Sequence, residues 1–89
     1  MQTTDLVIPN KLGLHARAAA NLVQLTQTFD CTITLVKGDK RANAKSMLSV
    51  MTLNVKQHDH LTLEADGADE AAAVTAVLAL VANNFGDAE

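Results

Sequence analysis

Apolar and polar positions change rhythm several times along the chain, and each change marks an element. From Cys31 to Lys37 they alternate, with Cys31, Ile33 and Leu35 on one side and Thr32, Thr34 and Val36 on the other, which predicts a half-buried strand. Gly38-Asp39 reads as a two-residue hairpin turn, and Lys40 to Asn43 as the returning strand. His60 to Ala65 alternates again, bringing Leu61, Leu63 and Ala65 together opposite Thr62 and Glu64. Asp5 to Ile8 is a shorter strand, stopped by Pro9-Asn10.

Between these runs the period lengthens to that of a helix. Ala19, Leu22, Val23 and Thr26 share one face, with Phe29 just beyond, so a helix is expected from about Ala16 to Thr28. Ser46 is placed to cap a short apolar helix running to about Leu53. The last helix has the clearest spacing: Val74, Val77, Leu78, Val81 and Phe85 fall at i, i+3, i+4, i+7 and i+11, after Asp69 as N-cap and before Gly86 as stop. The order βαββαβα predicts an α+β fold, with helices packed on one face of an antiparallel sheet.

Composition narrows the class without deciding it. Eighty-nine residues suit one domain, 1–89, with no need of disulfide or metal staples. One cysteine, Cys31, forbids an internal disulfide, and its strand position suggests a small buried hydrophobe. The start lacks a basic-then-apolar signal pattern, and no apolar run approaches the roughly 20 residues needed to span a bilayer. A cytoplasmic protein without membrane insertion is expected. Two Phe and no Tyr or Trp argue against single-stranded nucleic-acid recognition, which relies on aromatic stacking. His58-Asp59-His60 is half of a metal pattern without its second half, so no metal or other cofactor is expected.

Charge is more informative by segment than in sum. The net −3 hides +5 over residues 10–56 and −7 over residues 57–89. If the fold keeps these segments apart, one face is positive and attracts phosphate or acidic partners.

The candidate chemistry lies in the positive half. Asn10-Lys11-Leu12-Gly13-Leu14-His15-Ala16-Arg17 puts a histidine where a loop enters an Ala-rich helix, two residues before an arginine. The first-turn amides of a helix, those of Ala16, Arg17 and Ala18 here, lack intrahelical acceptors and sit at the positive end of the macrodipole. A phosphoryl group on His15 would lie among them, with Arg17 able to pair with its oxygens. Gly-x-His-x-Arg alone is weak evidence, since a histidine at such a junction is more often a simple surface residue.

Three motifs in order carry a resemblance over essentially the whole chain: Gly13-Leu14-His15-Ala16-Arg17, Asn43-Ala44-Lys45-Ser46-Met47 with Val50-Met51, and Asp66-Gly67-Ala68-Asp69-Glu70-Ala71-Ala72. Together they resemble the HPr family, the small phosphocarriers of the bacterial phosphoenolpyruvate-dependent phosphotransferase system. The resemblance implies an HPr-like open-faced β-sandwich with a four-stranded antiparallel sheet. It also implies a relay in which His15 takes a phosphoryl group on Nδ1 from Enzyme I and gives it to an Enzyme IIA domain. Such a protein is a stoichiometric carrier, expected as a monomer, rather than an enzyme with a substrate pocket.

The same resemblance gives roles to the second motif. Ser46 corresponds to the serine that HPr kinase/phosphorylase modifies in many bacteria, beside its plain reading as a helix cap. Met47, Leu48 and Met51 correspond to the docking helix, beside their plain reading as core. Two positions depart from the family: Ala18 stands where proline is usual, and Ser49 where glycine is common. Within the family, Asn10-Lys11-Leu12-Gly13 and the Asn84-Phe85-Gly86 ending resemble the nitrogen-branch carrier NPr, while Lys45-Ser46 leans to the sugar branch. A regulatory α+β binding module without a relay is the reading from another class.

Overall fold

A computed structural model describes residues 1–86. Its elements are β1 (Gln2–Val7), α1 (Ala16–Thr26), β2 (Cys31–Lys37), β3 (Lys40–Asn43), α2 (Met47–Thr52), β4 (His60–Gly67) and α3 (Glu70–Ala82), closed by a short 3-10 turn, Asn84–Gly86. All neighbouring strands are antiparallel and the sheet order is β1-β4-β2-β3. This is the expected α+β open-faced sandwich.

The alternation of the strands decides which face is covered. Leu6, Ile33, Leu35, Ala42, Leu61, Leu63 and Ala65 turn to the helices and are buried with Ala18, Ala19, Leu22 and Val23 of α1, Val50 of α2 and Ala73, Val74 and Val77 of α3. The other face stays open and polar. There Arg41 pairs with Glu64 at 2.5 Å, and the Thr62 hydroxyl donates to Asp5 Oδ1 at 3.1 Å. One sheet face against one helical layer suffices for a chain of this size.

Several boundaries differ from the periodicity, each for a nonlocal reason. β1 begins at Gln2 rather than Asp5, because Gln2, Thr3 and Thr4 pair with Ala65, Glu64 and Leu63 despite their polar side chains. It also ends at Val7, before Ile8. β4 continues to Gly67 for the same reason, with Gly67 opposite Cys31. α1 ends at Thr26, not Thr28: the chain tightens there into i−3 bonds, Thr28 N–H to Leu25 O (3.1 Å) and Phe29 N–H to Thr26 O (3.2 Å), where the Thr26 hydroxyl reaches across to Ala44 O (2.7 Å).

The end of α3 is the larger correction. The helix stops at Ala82, and Phe85 reaches the core from the following turn, at φ +56°. Phe85 therefore fits the helical spacing without being helical. Leu78, expected on the buried face, is exposed; Ala73 takes that place beside Val74 and Val77. Asp69 does hold the N-cap position, with its carbonyl accepting from Ala73 N–H at 2.9 Å. Its carboxylate, however, accepts from Asp30 N–H at 2.7 Å and ties α3 to the start of β2 instead of capping α3.

The register gathers much of the charge at two ends, with Lys45 beside the acidic group and Asp39 and Asp59 among the basic one. Asp30, Asp66, Asp69 and Glu70 collect where β2 begins and β4 ends. Lys11, Arg17, Lys37, Lys40 and Lys56 lie in the loops and helix start at the other end, where β1 ends and β4 begins. Among the described residues no helix is long and apolar enough to cross a membrane.

Candidate functional site

The loop after β1 is held by neighbours distant in sequence. Ile8 N–H donates to Asp59 O (3.1 Å) and Ile8 O accepts from His58 N–H (2.8 Å), so the 56–59 loop clamps the chain as it leaves the sheet. Asp59 is fixed in turn: its Oδ2 accepts from Lys56 N–H at 2.8 Å and pairs with Lys37 Nζ at 3.0 Å. Those bonds, the Lys56 amide foremost, hold the Asp59 carboxyl below the ordinary aspartate range.

Gly13 makes the next turn. It sits at φ +64°, and a Cβ there would lie 2.4 Å from Val55 O and 2.7 Å from Lys56 Cα. Glycine is needed both for the left-handed backbone and for the close approach. Leu14 N–H then donates to Val55 O at 3.2 Å and the Leu14 side chain enters the core.

His15 follows as the N-cap of α1, with extended backbone (φ −72°, ψ 177°) and a half-buried side chain that does not cap the helix. Its carbonyl accepts the first intrahelical bond, from Ala19 N–H at 2.8 Å. The amides of Ala16, Arg17 and Ala18 precede that bond, so they have no carbonyl one turn back to serve. Ala16 and Arg17 are exposed, and Arg17 makes no ion pair among the described residues. Ala18 is fully buried, its methyl packed in the core beneath the first turn. A histidine, first-turn amides and a guanidinium thus occur together, a combination able to carry and stabilise a phosphoryl dianion.

Large apolar side chains stay exposed on the loop that carries His15 and on α2, which packs against α1. Leu12 is 62% exposed in the loop itself, and Leu48 is 76% exposed on α2, with Met47 and Met51 also exposed. Only Val50 of α2 is in the core, so Met47, Leu48 and Met51 are surface residues rather than packing. Leu12 drew no attention in the sequence because one apolar residue in a loop has no pattern around it.

Ser46 caps α2, its Oγ accepting from Ser49 N–H at 3.3 Å and its carbonyl from Val50 N–H at 3.0 Å. Its approach is bolted to α1: Gln27 Nε2 donates to Lys45 O (3.1 Å) and Lys45 Nζ to Phe29 O (2.7 Å). At the far end of α2, Leu53 N–H and Asn54 N–H close the last turn on Val50 O (3.2 Å) and Met51 O (3.3 Å), and Lys37 Nζ donates to Asn54 O at 2.8 Å, tying that end to β2. Cys31 is buried, which pushes its thiol up and leaves it a core residue. Among the described residues no three metal-ligating side chains converge.

A family model described as "PTS HPr component phosphorylation site" matches residues 2–83. The chain is 45% identical to the phosphocarrier protein HPr of Cupriavidus necator, over 89 residues that span both chains completely. It is also 45% identical over 84 residues to the phosphocarrier protein NPr of Shewanella violacea, covering 94% of this chain and 92% of that one. Among solved structures it superposes on HPr-C-His from Thermoanaerobacter tengcongensis with TM-score 0.95 and 39% identity, each chain covered in full.

Proposed function

The chain belongs to the HPr family of phosphotransferase-system phosphocarriers, and from that membership we propose that it is a cytoplasmic relay carrying the phosphoryl group on His15. Enzyme I is the donor and an Enzyme IIA domain the acceptor. The observation that supports this most is the position of His15 at the N-cap of α1, beside Arg17 and the first-turn amides. Exposed Leu12, Met47, Leu48 and Met51 provide the apolar ground on which successive partners dock.

The chemistry asks little of the carrier. In each transfer an N–P bond forms on one imidazole as another breaks, and the electron pair leaves with the donor ring. Alignment and charge stabilisation account for most of the rate of such a step. The carrier supplies the ring, the helix end and Arg17, while the partner supplies the rest. It is consumed and regenerated stoichiometrically rather than turning over a substrate of its own. A phosphate on Ser46 would add about −1.5 to −2 charge at the start of the docking helix and weaken binding to an acidic partner.

Equal identity to an HPr and to an NPr supports a second reading of the partners, in which the donor and acceptor belong to the nitrogen branch. Onward transfer separates the two. Charged carrier, freed of donor, is mixed with a sugar-type and a nitrogen-type IIA domain, and the label is followed by mass. Discharge to the sugar-type domain assigns the transport relay, discharge to the nitrogen-type domain alone assigns the regulatory one, and discharge to neither contradicts the carrier reading.

A further inference from the structure

The peptide joining Gly13 to Leu14 is held at both of its polar ends. Its carbonyl accepts from Asn10 Nδ2 at 2.7 Å, and its N–H donates to Val55 O at 3.2 Å. Asn10 also takes the preceding amide, Gly13 N–H, on its own carbonyl at 3.1 Å. This asparagine is only 1% exposed. Asparagines of turns ordinarily stand in solvent; here the amide is enclosed and directed at one peptide plane, two residues before His15.

We propose that Asn10 is a positioning residue for phosphoryl transfer at His15, fixing the Gly13–Leu14 peptide plane and with it the direction in which the imidazole leaves the loop. The proposal rests on the relay reading of His15. Rotating a peptide plane changes ψ of the residue before it and φ of the residue after it. Gly13 has no Cβ to resist that rotation, so the plane is oriented by its hydrogen bonds rather than by sterics. Without the Asn10 amide, the Val55 bond alone remains, and the plane can keep that bond while its carbonyl tilts away. The change passes through Leu14 to His15.

Transfer is sensitive to such a change. A ring nitrogen of His15 must approach phosphorus in line as the donor's N–P bond breaks, the electron pair going to the donor ring and each ring keeping the proton on its other nitrogen. A misplacement of about 1 Å can cost about 100-fold in a step that depends on alignment. Docking, in contrast, draws most of its exposed apolar surface from α2, which does not hang on the Asn10 amide. The signature of positioning is therefore a loss of kcat with little change of KM.

The test is the initial rate of His15 charging by Enzyme I, phosphoenolpyruvate and magnesium, over a range of carrier concentrations. Asn10→Ala and the milder Asn10→Ser are compared with the parent and with Ile33→Val, a core change in β2 that perturbs stability alone. Asn10→Ala is expected to lower kcat about 10- to 100-fold with KM within about twofold, and Asn10→Ser to do so less severely. Relaxation dispersion is expected to appear at the Leu14 and His15 amides of both variants and not in Ile33→Val. If alanine prevents folding, serine gives the same split. An Asn10 variant that charges as fast as Ile33→Val, or loses only KM, overturns the positioning role and leaves the relay standing; a folded parent that is never charged overturns both.

Discussion

Gly13 and Gly38 offer an internal comparison, because they share a backbone conformation and differ in their surroundings. Their φ values are +64° and +62°; a Cβ on Gly38 meets nothing within 4 Å, whereas one on Gly13 would lie 2.4 Å from Val55 O. Placing alanine in the left-handed region costs roughly 1–2 kcal/mol, offset by about 0.4–1 kcal/mol from a stiffer unfolded chain. Gly38→Ala should therefore destabilise by at most about 1–1.5 kcal/mol. Gly13→Ala carries the same cost and also forces the loop off the 55–56 backbone. Overpacking of this kind costs about 1–3 kcal/mol, and losing the bond from Leu14 N–H to Val55 O adds about 1 kcal/mol.

The two variants should then differ by about 2–4 kcal/mol. At 4–8 °C per kcal/mol for a domain of this size, Gly13→Ala should melt roughly 10 °C or more below Gly38→Ala. Thermal unfolding followed by circular dichroism reads the difference directly, and the charging assay should show that only Gly13→Ala slows transfer. Melting points within about 3 °C of each other would mean that the loop has room beside Val55 that the structure denies it, and that Gly13 is needed for its backbone angle alone.

Other expectations follow from single contacts. Thr26→Val keeps shape but leaves Ala44 O, a buried acceptor at 2.7 Å, without its hydroxyl donor; urea unfolding should show a loss of about 1–3 kcal/mol. Leu48→Asp, at a 76% exposed position, should change stability by no more than about 0.5 kcal/mol while raising the KM for charging, and a cooperative loss of fold would return Leu48 to the core. Asp59, held below the ordinary aspartate range by Lys56 N–H and Lys37, favours the folded state at neutral pH. That contribution is complete above the unfolded aspartate pKa of about 4 and disappears as pH falls through the lower folded value. Acid titration of stability should be shallower below about pH 4 for Asp59→Asn than for the parent, and superimposable curves would contradict the assignment.

What the sequence revealed divides along local and nonlocal causes. β2 and β3 were legible to the residue, because alternation and a Gly-Asp turn are local signals. The buried stripe of α1 and the Ser46 cap were legible for the same reason. Phe85 misled because a residue eleven positions along a helix and one on the following turn have the same spacing; what separates them is the turn's backbone, secured by Asn21 Nδ2 donating to Phe85 O at 2.7 Å from another helix. Asp69 was legible as the N-cap of α3, but the partner of its carboxylate was not: Asp30 N–H, thirty-nine residues earlier and at the start of the neighbouring strand, takes it. His15 and Arg17 stood out through their motif, but Asn10 did not. Its significance depends on a peptide plane held from the other side by Val55, forty-five residues away along the chain.

The relay stands or falls with His15 as the residue that carries the phosphoryl group. Incubation with phosphoenolpyruvate, magnesium and a bacterial Enzyme I, followed by intact mass and peptide mapping, tests it most directly, with His15→Ala as control. One acid-labile phosphate per chain is expected, mapped to His15 and absent from the variant. A well-folded protein that stays unlabelled with both sugar-branch and nitrogen-branch Enzyme I, while a known HPr and a known NPr charge alongside it, or a label that persists in His15→Ala, would contradict it.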